Sequence, residues 1–110
     1  MTEQEVFDKV KAHLLQQNSK ALYKGSGGVY KAEDGKKCAV GCLIPDELYE
    51  ERFEGLGVLT LLQESTKLRE LFEGVDTVLL MDLMLIHDTK DPIDWPECLN
   101  NLAEAHALDY

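Results

Sequence analysis

Between Val75 and Thr89 the chain reads VDTVLLMDLMLIHDT, apolar nearly all round and broken internally by one acid, Asp82. The stretch is too long for an ordinary strand and falls far short of the roughly 20 apolar residues a bilayer span requires. It therefore reads as a helix, and a helix apolar on every side has to be covered by the rest of its domain. The expectation is a central buried helix, packed on several sides. Asp82 either meets a polar partner, with Tyr23, Tyr30 and Lys37 as candidates, or opens onto solvent through a gap.

The covering has to come from a chain of 110 residues, enough for one domain, 1–110, with a core that needs no covalent staples. The first helix is well marked. Thr2 and Glu5 form a capping-box pattern, Val6, Phe7, Val10 and Leu14 recur at helical spacing, and Asn18 and Ser19 close the element after Gln17. His13, beside that stripe, reads as a half-buried packing residue. VLTLLQES and KLRELFEG read as one interrupted helix or two short ones ending at Gly74. A last helix follows KDPIDWPE, where Asp94 and Glu97 repeat the capping pattern, Pro96 suits a first turn, and Trp95, Leu99, Leu102 and His106 share a face.

Before these, GSGGVYKAEDGKK holds turn signals around a short strand. A small hairpin is expected, with arms near Leu22–Lys24 or Val29–Ala32 and Lys36–Ala39. Gly25 to Gly28 read as a flexible connection. They do not form a phosphate loop, because no Lys-Ser/Thr follows Gly28 and the dinucleotide fingerprint lacks its third glycine. The fold class is α+β, mostly helical (four to six helices), with one small β-hairpin.

Charge is unevenly placed. Residues 1–37 carry seven lysines and five acids, whereas residues 38–110 carry four basic residues and sixteen acids, within a total of −10. Such a surface repels phosphate backbones, so direct nucleic-acid binding is not expected; a protein partner with a basic face is, including one that normally holds nucleic acid. The acidic N-terminal segment lacks the apolar core of a signal peptide, and three cysteines fit reduced thiols better than a disulfide frame. A cytoplasmic protein with no membrane association is the expectation.

Cys38 and Cys42 flank Ala39, Val40 and Gly41. As a strand, Cys38, Val40, Cys42 and Ile44 share one face; as a helix, Cys38, Gly41 and Cys42 do, and that small face lets the long apolar helix approach closely. The run YKAEDGKKCAVGCLIPDELY, then EG, then LMLIHD and a Trp seven residues after Asp88, resembles a group of small proteins encoded by phages and bacteria. These carry a Tyr, a glycine turn, Cys-Ala-Val/Ile-Gly-x-Leu-Ile-Pro-Asp, a later His-Asp and a Trp-led final helix. A more distant similarity is to bacterial domains with Cys-Ala-x-Gly-Ala-Leu followed by Asn-Asp. The resemblance spans roughly residues 22 to 105. It implies a shared fold, a helical reading of 38–44 and an association with phages or mobile elements, and it carries no mechanism.

Two kinds of site follow from the residues. A cysteine-dependent hydrolase or transferase would use Cys38 as nucleophile, its thiol lowered by a helix N-terminus and by Lys36 and Lys37, with His87 as base and Asp88 as orienter. Against it, Asp88 adjoins His87 in sequence and no oxyanion hole is readable. Cys38, Cys42, His87 and Cys98 offer zinc-type ligands without a zinc spacing, and Asp88, Asp91, Asp94 and Glu97 lack the calcium-loop pattern, so neither metal nor cofactor is expected. The alternative is an interaction surface: Asp46, Glu47, Glu50, Glu51 and Glu54 form an acidic face around Tyr49 and Phe53, whose exposed rings would anchor a basic partner. A small acidic accessory protein is the favoured reading, and an inhibitor mimicking nucleic-acid charge is its specific version.

Overall fold

The structure is a computed structural model that describes residues 1–24 and 26–110. Among these are five α-helices and a small antiparallel hairpin: α1 (Glu3–Gln17), β1 (Leu22–Tyr23), β2 (Ser26–Gly28), α2 (Val58–Glu64), α3 (Thr66–Leu71), α4 (Thr77–Thr89) and α5 (Trp95–Ala105). The mostly helical α+β expectation therefore holds.

Helix α1 forms where its local signals place it. Thr2 Oγ1 accepts from the Glu5 N–H at 3.1 Å and Glu5 Oε1 accepts from the Thr2 N–H at 3.0 Å, which satisfies two otherwise orphaned donors. The same bond holds the Glu5 carboxyl below its ordinary range. Val6, Phe7, Val10 and Leu14 are fully buried, and Asn18 ends the helix in the left-handed region at φ 50°.

The 58–74 region is two short helices. Ser65 closes α2 and caps α3, its Oγ accepting from Leu68 N–H at 3.2 Å. The cap at the other end of α3 is Phe72 rather than Gly74, which turns the chain two residues later. The start of α5 also differs from expectation, because Asp94 makes no side-chain cap bond there. A 3₁₀ turn at Pro92–Asp94 runs directly into the helix, so Asp94 is already helical (φ −92°, ψ −9°) and lacks the extended backbone a cap requires.

Helix α4 packs against α1, α2 and α5. It buries Leu79, Leu80, Leu83, Ile86 and His87, but it is not covered all round: Val78 is 49% exposed, Met81 43% and Leu85 58%. One apolar face of the helix therefore lies outside the packed core.

The hairpin pairs Leu22 with Gly28 and Tyr23 with Ser26, while the second expected pairing reduces to a single bridge between Lys31 and Lys37. Of the glycine connection expected at 25–28, Gly25 lies outside the described residues and Ser26–Gly28 form β2. Residues 38–44 make neither a strand nor a full helix, but turns followed by one 3₁₀ turn at Gly41–Leu43. That strip packs against α1, and Gly41 admits the Tyr30 backbone rather than α4. A Cβ at Gly41 would lie 2.6 Å from the Tyr30 carbonyl carbon and closer still to its oxygen. Gly41 is thus required by a backbone crossing, and the partner of its 3₁₀ turn is α1.

Candidate functional site

His87 occupies the last turn of α4 and is completely buried. Its Nε2 accepts from the Ala21 N–H at 3.0 Å, which places the ring proton on Nδ1, and Nδ1 donates to Asp88 Oδ1 at 2.6 Å. Adjacency in sequence does not prevent this bond, contrary to expectation. The imidazole stacks on Trp95, with centroids 5.8 Å apart and planes at 26°. The indole N–H in turn is shared between the carbonyls of Ile86 and Lys90, both at 3.1 Å, closing the carbonyl end of α4. Gly28 belongs to the same cluster: a Cβ there would lie 2.6 Å from Asp88 Oδ1. These bonds tie Ala21 and α5 to the end of α4, and the hairpin lies against it at Gly28.

Cys38 is fully buried, and its sulfur accepts from the Gly41 N–H at 3.2 Å. Burial pushes its thiol up to about 12, outweighing the lowering by the turn's N–H groups at Gly41 and Val40. The expected activation by Lys36 and Lys37 does not occur. Lys36 pairs with Asp34 at 3.6 Å, and Lys37 points toward Asp46 at 3.9 Å. Cys42 is half-buried, donates to the Ala39 carbonyl at 3.1 Å, and is likewise pushed up to about 12 by burial. Both nitrogens of His87 are engaged, by Ala21 and Asp88, and neither bonds Cys38. The expected Cys38–His87–Asp88 arrangement is not assembled as a nucleophilic set. Among the described residues, no three His, Cys, Asp or Glu side chains come together to hold a metal ion, so Cys38, Cys42, His87 and Cys98 form no ligand cluster.

The acidic segment is divided between two roles. Phe53, expected to be an exposed anchor, is fully buried, because the 3₁₀ turn Glu51–Phe53 rotates its ring inward, edge-on to Tyr49 at 6.3 Å. Tyr49 is half-buried, and its hydroxyl donates to Glu54 Oε2 at 2.6 Å. The Glu54 carboxylate also accepts from the backbone N–H groups of Tyr30 at 2.8 Å and Lys31 at 3.1 Å. Tyr49, Phe53 and Glu54 therefore hold the fold. Asp46 binds Lys31 Nζ at 2.6 Å, which keeps its carboxyl below the ordinary range. Glu50 is engaged by Arg52 at 3.2 Å. Glu47 and Glu51 are exposed and, among the described residues, unpaired.

Asp82 pairs with none of Tyr23, Tyr30 or Lys37. Its Oδ2 meets His106 Nε2 at 2.8 Å, so the helix end of α5 supplies the partner. His13 is half-buried as expected and bonds the Lys37 carbonyl at 2.8 Å. A cleft of about 350 Å³ separates α4 from the Glu54–Val58 segment, with Met81, Met84 and Leu85 on one wall and Leu56 on the other. Sequence reading missed this feature. Its signal is the 81–85–88 spacing inside a helix that hydropathy alone marks as buried.

No protein-family model, no curated protein and no solved structure matches this chain.

Proposed function

We propose that the chain is a small acidic interaction protein that binds a basic protein partner in the cytoplasm. The phage or mobile-element association follows from the resemblance, and imitation of nucleic-acid charge is the specific form of the activity. The observation that carries this reading is the uncompensated charge: Glu47 and Glu51 stand exposed and, among the described residues, unpaired on a chain of net charge −10. Tyr49, Phe53 and Glu54 drop out as anchors, which leaves Glu47 and Glu51 as the contact residues, with Asp46 and Glu50 contributing field rather than free carboxylates. Such a surface steers a basic partner and disfavours direct contact with phosphate backbones. Among the described residues, no helix is long and apolar enough to cross a membrane. A cysteine-dependent reaction draws no support from the surroundings of Cys38 and His87.

The test is capture from a bacterial host lysate with identification by mass spectrometry, between about 50 mM and about 500 mM salt. The expected result is retention of strongly basic proteins at low salt, their release at high salt, and their loss with Glu47→Lys/Glu51→Lys. Capture that ignores both salt and the double substitution would refute the proposal.

A further inference from the structure

Helix α4 presents Val78, Met81 and Leu85 to solvent, followed in the same register by Asp88. The spacing of three, four and three residues is the a–d–a–d seam that a second helix packs against knob into hole. The seam continues into the cleft of about 350 Å³ beside Leu56, Met84 and Glu54. Its charge has one sign, because among the described residues Glu54 and Asp88 are the only ionisable side chains lining that cleft besides the Tyr30 phenol. The Asp88 carboxylate bonds the neutral His87 ring and, among the described residues, no cationic side chain; Lys20 reaches only its backbone carbonyl, at 3.4 Å. Asp88 also stands at the carbonyl end of α4, where the helix dipole adds negative potential. From Val75 to Tyr110 the chain has eight acids and one lysine, Lys90. A second copy would bring the same charge onto this seam and be repelled, whereas a helix with an apolar stripe and lysine or arginine flanks matches both features.

We infer that the cleft between α4 and the Glu54–Val58 segment is the docking groove for an amphipathic helix of the basic partner. The helix lays its apolar stripe on Val78, Met81 and Leu85 and brings a basic side chain to Asp88. This rests on the proposed function and adds the element through which the partner is held.

A labelled leucine–lysine amphipathic peptide of about 14 residues, long enough to form a helix, serves as the probe for fluorescence anisotropy against the full chain. Saturable one-to-one binding is expected, weakened at least tenfold by Met81→Gln/Leu85→Gln, which removes apolar surface at exposed positions without changing charge. A peptide of the same composition in scrambled order should bind at least tenfold more weakly. Equal affinity for the substituted chain, or for the scrambled peptide, overturns the groove. So does a wild-type dimer in light scattering that Met81→Gln/Leu85→Gln converts to monomer, since a second copy would then be the occupant. If Glu47→Lys/Glu51→Lys loses the peptide while Met81→Gln/Leu85→Gln keeps it, the groove fails and the acidic-face reading stands. The reverse pattern, with basic proteins still captured from lysate by Glu47→Lys/Glu51→Lys, upholds the groove and overturns the acidic-face reading.

Discussion

Replacing Gly41 by alanine should be among the most damaging single-methyl changes in this chain. The added Cβ would lie 2.6 Å from the carbonyl carbon of Tyr30, a distance real Cβ atoms essentially never show, with the oxygen closer still. The obstacle is backbone, so no side-chain rotation relieves it. Nor is the Tyr30 segment free to move: its carbonyl accepts from Cys38 N–H at 3.1 Å, its N–H donates to Glu54 at 2.8 Å, and its hydroxyl donates to the Leu56 carbonyl at 2.5 Å. Accommodation requires the two segments to part, with overpacking strain of about 1–3 kcal/mol and loss of a buried hydrogen bond worth about 1–3 kcal/mol more. A combined loss of roughly 3–5 kcal/mol is a large share of the 5–15 kcal/mol that holds a typical domain, and corresponds to a fall in Tm of about 12 °C or more. The assay is urea and thermal unfolding followed by circular dichroism. Gly57→Ala is the control, because a Cβ at Gly57 meets nothing within 4 Å and its backbone is extended at φ −68°, ψ 164°. The control should change stability by no more than about 1 kcal/mol. If Gly41→Ala unfolds at the same urea midpoint as Gly57→Ala, the close crossing at Tyr30 is wrong.

Three further outcomes follow from the same interior. Glu54→Gln should destabilise by about 1–3 kcal/mol, because an amide group would face donors that a carboxylate now satisfies, whereas Glu47→Gln should stay within about 0.5 kcal/mol; equal urea midpoints for the two would contradict the assigned role of Glu54. Stability should fall with pH above about 9, where the unfolded chain begins to release thiol protons while Cys38 and Cys42, both pushed up to about 12 in the fold, retain theirs. The contribution of these thiols is complete below pH 9 and is lost toward pH 12, at up to about 1.4 kcal/mol per pH unit for each thiol. Unfolding midpoints measured across that window should decline, less so in Cys38→Ala/Cys42→Ala. Asp82 and His106, a pair with the Asp82 side chain 46% exposed, should show a coupling of no more than about 1 kcal/mol that weakens with salt; a double-mutant cycle yielding a larger, salt-insensitive coupling would contradict a surface pair.

What the sequence discloses about this fold follows the range of the interactions. Helix α1 is legible in full, since its capping box, apolar stripe and Asn18 terminus all act within a few residues. The interior of α4 is legible, but its outer face is not: hydropathy reports that Val78, Met81 and Leu85 are apolar and cannot report that they stand exposed. Phe53 misleads for a related reason. Its charged neighbours suggest exposure, while a single 3₁₀ turn is enough to aim the ring inward. His87 and Ala21 are joined across most of the chain's length, and Gly41 and Tyr30 across the turn closed by the Lys31–Lys37 bridge, and no local pattern specifies either contact. The residues singled out at 38–42 and 87–88 matter, but as fasteners between segments rather than as reagents.

That last point can be measured directly at the sulfur of Cys38. Native protein exposed to iodoacetamide at about pH 8 and analysed by mass spectrometry should leave Cys38 unmodified for hours, because a fully buried thiol pushed up to about 12 offers neither thiolate nor access, and the same residue should react promptly in urea. Stoichiometric alkylation of Cys38 within minutes in the folded protein would contradict the account and return this segment to the chemistry of an active thiol.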